Sequence, residues 1–319
     1  MDKLERVERR LRLHDLRVLM SVVEAGSMNK AAERLSTSQP AISRAISDLE
    51  HALGVPLLDR SPTGVQPTDY GRAIVRRGIA VFDELRHGIK DVEFLADPTA
   101  GELRFGCAEA MADTFVAAAI DRLTRKYPRL SFHVATDAGP PIFERLAARE
   151  VELVISRIPR EAAEKYLVVS ELFETSYVVA AGPGSPWAGR RKVRLAEIQN
   201  EPWTLPPSDS FGHSLINEAF RANGLDPPRV VATAVSRSMR NRLLATDRFL
   251  TMVPGFSVMP RQYPFLKVLP VDLPPTRAPV TVVTVRNRTL SPLAMLFLDT
   301  LREIATKEMI RGKSKAPSA

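Results

Sequence analysis

Residues 31–54 read AAERLSTSQPAISRAISDLEHALG, two stretches with helical spacing separated by the small polar residues Ser36, Thr37, Ser38 and Gln39. In the second stretch Ile42, Ala45, Ile46, Leu49 and Leu53 recur at three- and four-residue steps and share one face. Ser43, Arg44 and Ser47 point elsewhere, and Gly54 stands where a helix C-terminus requires positive φ. In the first stretch Ala31, Ala32 and Leu35 form a small-residue face suited to close packing, with Ser27 placed as a cap. The spacing predicts two short helices. The second has hydroxyl and amide side chains at its N-terminal mouth and an uncovered Ser/Arg face.

Working outward, Leu16, Leu19, Met20 and Val23 mark a preceding helix that Gly26 ends. Downstream, VPLLDRSPTGVQPTDYG (55–71) has extended apolar residues around a turn-rich centre at Ser61 to Gly64, the pattern of a small β-wing. Thr68 can cap a long helix carrying Ile74, Gly78, Val81, Leu85, Ile89, Val92 and Leu95 at steps of three and four, with no proline before Pro98. At ~1.5 Å per residue it is about 40 Å long. So narrow an apolar seam on so long a helix implies packing against a second copy of the chain.

From Gly101 the texture changes to strands alternating with helices. ELRFGCA (102–108), LSFHVAT (130–136) and VELVISRI (151–158) read as strands, separated by helical segments, which is the βαβ rhythm of a parallel, doubly wound sheet. A second rhythm begins near SYVVAAGPG (176–184) and runs to RFLTMVP (248–254), so two α/β lobes are expected. After FLKVLPVDLPPTRAPVTVVTV (265–285) comes a last helix, then the tail RGKSKAPSA (311–319), expected to be disordered.

The 319 residues exceed what one core usually organises, and 45% hydrophobic with 26% charged content is that of a globular chain. No stretch has the length or apolarity of a secretion signal or a membrane span, and the single cysteine, Cys107, allows no intramolecular disulfide. A cytoplasmic location is the expectation. His14, His51, His87, His133 and His213 lack metal-ligand spacing, AGPGSPWAGR (181–190) lacks the pattern of a dinucleotide or phosphate loop, and neither metal nor cofactor is expected. The net charge of +8 favours anionic partners, yet residues 1–80 hold 13 basic and 10 acidic side chains, so charge alone locates no nucleic-acid face.

Pattern does point to one. A helix with a polar mouth, crossed by a short preceding helix, suits the major groove of double-stranded DNA. In that reading Gln39, Ser43 and Arg44 reach base edges, Pro40 sits in the first turn, and Ser27, Ser38, Ser47, Arg60 and Thr63 position the phosphate backbone. On spacing alone, a solvated amphipathic helix capped by Ser38 fits equally well.

The stretch HDLRVLMSVVEAGSMNKAAERLSTSQPAISRAISDLEHALGVPLLDRSPTGVQPTDYG (14–71) resembles the winged helix-turn-helix of LysR-type transcriptional regulators. The likeness lies in the pattern AA-x-x-L-x-x-SQPA-x-S-x-x-I-x-x-LE-x-x-LG-x-x-L-x-x-R and the later Thr-x-x-Gly, while Met28 stands where the family often has Phe or a small polar residue. GELRFGCA, YPRLSFHV and VELVIS follow in the family's order. The resemblance implies an α/β chain in four parts: an all-α winged helix-turn-helix at 1–67, a linker and dimerisation helix at 68–97, an effector domain at 98–310, and the tail. The effector domain would be two-lobed, Rossmann-like and similar to periplasmic binding proteins, with lobe I at 98–170 and 270–310 and lobe II at 171–269. It further implies a non-enzymatic, sequence-specific regulator acting as a homodimer or homotetramer on a dyad-symmetric promoter site, with RNA polymerase as a further partner and no membrane association. A small-molecule effector would enter the interlobe cleft and change the DNA-bound oligomer.

Ligands of doubly wound sheets sit outside the carboxyl ends of strands. That rule selects Cys107, Ala108, Glu109, Thr136, Asp137, Ser156 and Arg157 from the first lobe, and Ser208, Ser210, Phe211, Thr251 and Pro254 from the second. Glu109 and Asp137 would disfavour a carboxylate ligand unless Arg157 or helix N-termini offset them, and would suit hydroxyls or an amine. Cys107 reads first as a small packing residue. Two other classes fit parts of the pattern: an enzyme fused to a DNA-binding unit, using Cys107 or the Glu109/Asp137 pair, and an architectural DNA binder. No base is assignable to Cys107, and a cleft would be idle in an architectural protein.

Overall fold

The computed structural model describes residues 5, 7, 9–61, 64–136, 140–158, 165–258, 263–274 and 276–313. Thr63, Asp137 and residues 314–319 of the tail lie outside them. The chain forms two compact units, residues 1–88 and 89–319.

In the first unit α1 (Leu13–Ala25), α2 (Met28–Arg34) and α3 (Gln39–Leu53) enclose a core of Val18, Leu19, Val22, Ala31, Ile42, Ile46 and Leu49. Gly26 and Gly54 both adopt the left-handed conformation, at φ 63° and 74°, and end α1 and α3. Between α2 and α3 the left-handed residue is Ser36, at φ 52°. There Thr37 N donates to Ala32 O at 2.9 Å and Ser36 N to Glu33 O at 3.2 Å, so α2 ends in a Schellman turn. Ser27 and Ser38 stand at N-cap positions, but neither side chain makes a cap hydrogen bond, contrary to the expected capping.

The wing is an antiparallel pair, β1 (Leu58–Ser61) and β2 (Gly64–Pro67), tied to the α1–α2 turn where Val65 N donates to Gly26 O at 3.0 Å. Glu50 on α3 holds the base of the wing, its Oε1 accepting from Leu57 N at 2.7 Å and Leu58 N at 3.2 Å. The Thr-x-x-Gly motif has a physical reason. Thr68 Oγ1 accepts from Gly71 N at 3.0 Å, capping α4 (Asp69–Ala96), and donates to Pro56 O at 2.8 Å. A Cβ on Gly71 would lie 2.0 Å from the Leu57 carbonyl oxygen, so only glycine admits this approach. Gly78 of the expected seam packs on Leu16 and Met20 of its own chain. Val81, Leu85, Ile89, Val92 and Leu95 remain exposed, from 43% at Val81 to 80% at Leu95.

The second unit holds two five-stranded sheets. The first has the order β4 (Arg129–Ala135), β3 (Ala100–Cys107), β5 (Val154–Ser156), β12 (Ala278–Val285), β6 (Leu167–Thr175). The second has the order β11 (Lys267–Val268), β7 (Tyr177–Ala181), β10 (Leu250–Pro254), β8 (Trp203–Leu205), β9 (Val230–Thr233). Both sheets are mixed, which corrects the expectation of parallel sheets. β12 runs antiparallel to β5 and β6, and β7 runs antiparallel to β10 and β11. The reason is the connection: β12 arrives from the other lobe without the crossover helix that parallel pairing needs. The chain passes between sheets at Ser176, past the boundary near 170 expected from sequence, because β6 runs on to Thr175.

Around the first sheet lie α5 (Ala117–Lys126), α6 (Pro140–Ala147) and α10 (Pro292–Lys313). Phe297 of α10 meets Phe105 with ring centroids 4.6 Å apart in the core. Around the second lie α7 (Leu195–Ile198), α8 (Phe211–Ala222) and α9 (Arg237–Leu244), over a core built on Trp203 and Phe220 at 5.5 Å. Among the described residues no helix is long and apolar enough to cross a membrane.

Gly71→Ala is expected to destabilise the protein by at least ~2 kcal/mol, because backbone must move to relieve the clash. Gly88→Ala, on the same helix with no atom within 4 Å of its Cβ position, is expected to be neutral or slightly stabilising. Urea unfolding followed by circular dichroism compares the two; equal losses would show that the Leu57 contact does not matter.

Candidate functional site

The first candidate surface is α3. Residues 36–41 are all exposed, as are Arg44 and Ser47, with Ser43 half-buried. Gln39, Ser43 and Ser47 follow at four-residue steps, and Pro40 and Arg44 form the adjacent row, so these residues share one face. From the wing, Arg60 Nη1 donates to Ser43 Oγ at 3.5 Å, which places a guanidinium beside that face. Ser27 is half-buried at the start of α2. Since Ser38 spends no bond on its own helix, the mouth of α3 keeps its hydroxyls available to another molecule.

The second is the cleft between the two lobes. After β3 the chain enters a short helix, Glu109–Met111, then a π-helical turn, Ala112–Val116, before α5. Glu109 Oε2 accepts from Arg237 N, the first residue of α9, at 2.7 Å, so its charge sits at a helix N-terminus in the opposite lobe. Arg237 Nε stands 3.1 Å from Asp113 Oδ2, and Tyr263 Oη donates to the same oxygen at 2.5 Å. Burial raises the Asp113 carboxyl above its usual range, with Tyr263 and Arg237 opposing that rise. Burial and the bond to Asp113 push the Tyr263 hydroxyl up to about 12. Arg240 is drawn down by burial and supported by Glu109. Arg157, one residue past β5, stacks on the Tyr177 ring at 4.4 Å.

Several expected lining residues serve the fold instead. Cys107 is fully buried in the first lobe's core, because the strand continues one residue beyond Gly106 and turns that side chain inward. Thr251 lies inside β10 with Oγ1 donating to Thr204 O at 2.7 Å, and buried Pro254 accepts from Ser257 Oγ through its carbonyl. Ser210 caps α8, accepting from His213 N at 3.2 Å. Ser208 and Thr136 are exposed, while Ala108, Ser156 and Phe211 are half-buried. Asp113, Tyr177, Arg237, Arg240 and Tyr263 were missed; the available signal was Asp113 at i+4 from Glu109, on one helical face. Among the described residues no group of three or more His, Cys, Asp or Glu is placed to hold a metal.

Residues 13–72 match the model of the bacterial regulatory helix-turn-helix protein, lysR family, and residues 96–306 match the LysR substrate binding domain. The chain belongs to the LysR family of transcriptional regulators. It is 27% identical to the HTH-type transcriptional regulator GbpR of Azospirillum brasilense over 95% of this chain and 89% of that protein. It is 24% identical to TdcA of Escherichia coli over 91% and 92%. A full-length OxyR variant from Pseudomonas aeruginosa shares the fold with TM-score 0.64 at 20% identity, covering 92% of this chain and 95% of that one. Full-length CbnR, solved complexed with its target DNA, gives TM-score 0.54 at 21% identity over 92% and 100%.

This LysR-family regulator is therefore a DNA-binding protein with an effector-binding domain of LysR type. Its only cysteine is buried, and burial raises the thiol to about 12, with Asp113 adding to the rise. Native protein at pH 8 is expected to resist iodoacetamide, and protein unfolded in urea to react fully. Mass spectrometry reads the outcome, and rapid labelling of folded protein would show the thiol to be accessible.

Proposed function

We propose that this regulator reads a dyad-symmetric promoter site in sequence-specific fashion through α3. Gln39, Ser43 and Arg44 meet base edges, and Ser27, Ser38, Ser47 and Arg60 set the protein on the phosphate backbone. The carrying observation is the uninterrupted exposure of residues 36–41 at a helix mouth whose serine makes no cap bond. The exposed stripe from Val81 to Leu95 supports pairing of α4 with a second copy, as homodimer or within a homotetramer. Burial of such a stripe would supply ~25 cal/mol per Å2. A small molecule entering between Glu109, Asp113 and Arg157 on one lobe and Arg237, Arg240 and Tyr263 on the other would alter how the lobes are held. That change would pass to the DNA-bound oligomer and so to RNA polymerase.

Arg44→Ala is expected to cost ~1–3 kcal/mol at the cognate site and to relax preference at one base position. Binding titrations on single-base operator variants measure this. A uniform loss across all sequences with a shallower salt slope would make Arg44 a phosphate contact instead.

Leu85→Asp is expected to dissociate the dimer, since it places a charge in the apolar stripe. Sedimentation of an unchanged mass would place the interface elsewhere.

A further inference from the structure

Among the described residues three arginines are buried, and two of them are answered. Arg288 donates from Nη1 to Val151 O at 2.6 Å and to Glu152 O at 3.2 Å. Arg237 donates to Ser257 O and lies beside Asp113. Arg157 differs. It is 7% exposed, and none of Nε, Nη1 and Nη2 has a hydrogen-bond partner.

Its position makes the missing partner informative. Arg157 follows the carboxyl end of β5, and one guanidinium face is covered by Tyr177, leaving the N–H edge unused. The Tyr177 hydroxyl in turn lies against the first turn of α8, where a Cβ on Gly212 would stand 2.7 Å from it. The positive end of this twelve-residue helix thus borders the same region. Arg157 and Arg240 both act on Tyr177, and Arg240 and Arg237 on Glu109 and Asp113, so in this linked group the guanidinium groups outnumber the carboxylates by one. Of the three, Arg237 and Arg240 each donate a hydrogen bond, and Arg157 donates none. The two carboxylates are already committed, one to the N-terminus of α9 and the other to Arg237 and Tyr263.

We infer that Arg157 anchors the carboxylate of a small monoanionic effector, an inference that rests on the interlobe cleft being the effector site. A carboxylate fits the planar guanidinium edge with two parallel hydrogen bonds, and one negative charge balances the cleft. A neutral polyol leaves the buried charge uncompensated, and an amine adds repulsion. The preference for hydroxyls or an amine expected from Glu109 is therefore reversed, because Glu109 is spent across the lobes.

Thermal denaturation of the full-length protein tests this with propionate, benzoate, propionamide, benzamide, xylitol, ethanolamine and sodium sulfate at constant ionic strength. At least one carboxylate is expected to raise Tm by about 3 °C, with its amide, the polyol, the amine and sulfate giving no comparable shift. Arg157→Met is expected to lose that shift and, without ligand, to melt no lower than the unsubstituted protein, because it removes an uncompensated charge.

The inference is overturned if no carboxylate stabilises, if an amide, polyol, amine or sulfate does so equally, or if Arg157→Met keeps the shift. It is also overturned if that variant melts several degrees lower without ligand, since the guanidinium then serves packing on Tyr177. Ser156→Trp, which fills the cleft beside Arg157, separates the two levels. A neutral ligand whose shift is lost in Ser156→Trp leaves the cleft as effector site and removes only the charge preference. A carboxylate shift that survives both substitutions removes both.

Discussion

A charge withdrawn from water must be met by an opposite charge, a hydrogen bond or a ligand, and this constraint decides which residues face each other between the two lobes. Glu109 leaves the end of β3 and ends on the first N–H of α9, more than a hundred residues away in sequence. Asp113 reaches the same helix and Tyr263. These polar contacts join the lobes beside an apolar one, in which Phe256 packs on Phe115 and Phe173 of the first lobe's core. A small molecule can compete for the polar groups far more readily than for a hydrophobic seam. The π-helical turn at Ala112–Val116 contributes directly, since Asp113 lies within it.

The first unit applies the complementary rule. The apolar faces of its three short helices enclose one core, and Glu50, Thr68 and Gly71 lock the wing and the start of α4 by backbone hydrogen bonds and close approach. What is left outward is the polar mouth of α3 and the Arg60 guanidinium beside it. Rigid supports carrying an exposed polar row are what a groove-reading helix requires, because base discrimination depends on side chains held in register. The same economy governs α4: Gly78 is used up against α1, while the side chains of the stripe from Val81 to Leu95 stay exposed.

Local signals were legible in the sequence and non-local ones were not. The glycines at 26 and 54, the helical period of Ile42 to Leu53 and the Thr68 cap all act within a few residues, so each announces its own conformation. β6 escaped notice because LVVSELFET mixes polar residues into an edge strand, and the antiparallel course of β12 depends on a partner more than a hundred positions away. Cys107 ends β3 with its side chain in the core, the packing role its context suggests and not the cleft position that the strand-end rule selects for it. Asp113 apart, the missed groups of the cleft lie on or beside the second lobe's elements, where no spacing rule links them to Glu109. Only the folded chain shows that Arg157 is buried without an acceptor.

Sequence reading by the polar mouth of α3 is the proposal from which the rest of the regulatory scheme follows. Equilibrium binding of the full-length protein to a dyad-symmetric promoter fragment and to random DNA of equal length, across a salt series, tests it most directly. Tighter binding to the promoter fragment is expected at every salt concentration, with the ratio persisting as the shared phosphate attraction is screened. Equal affinity for both fragments throughout the series would contradict it.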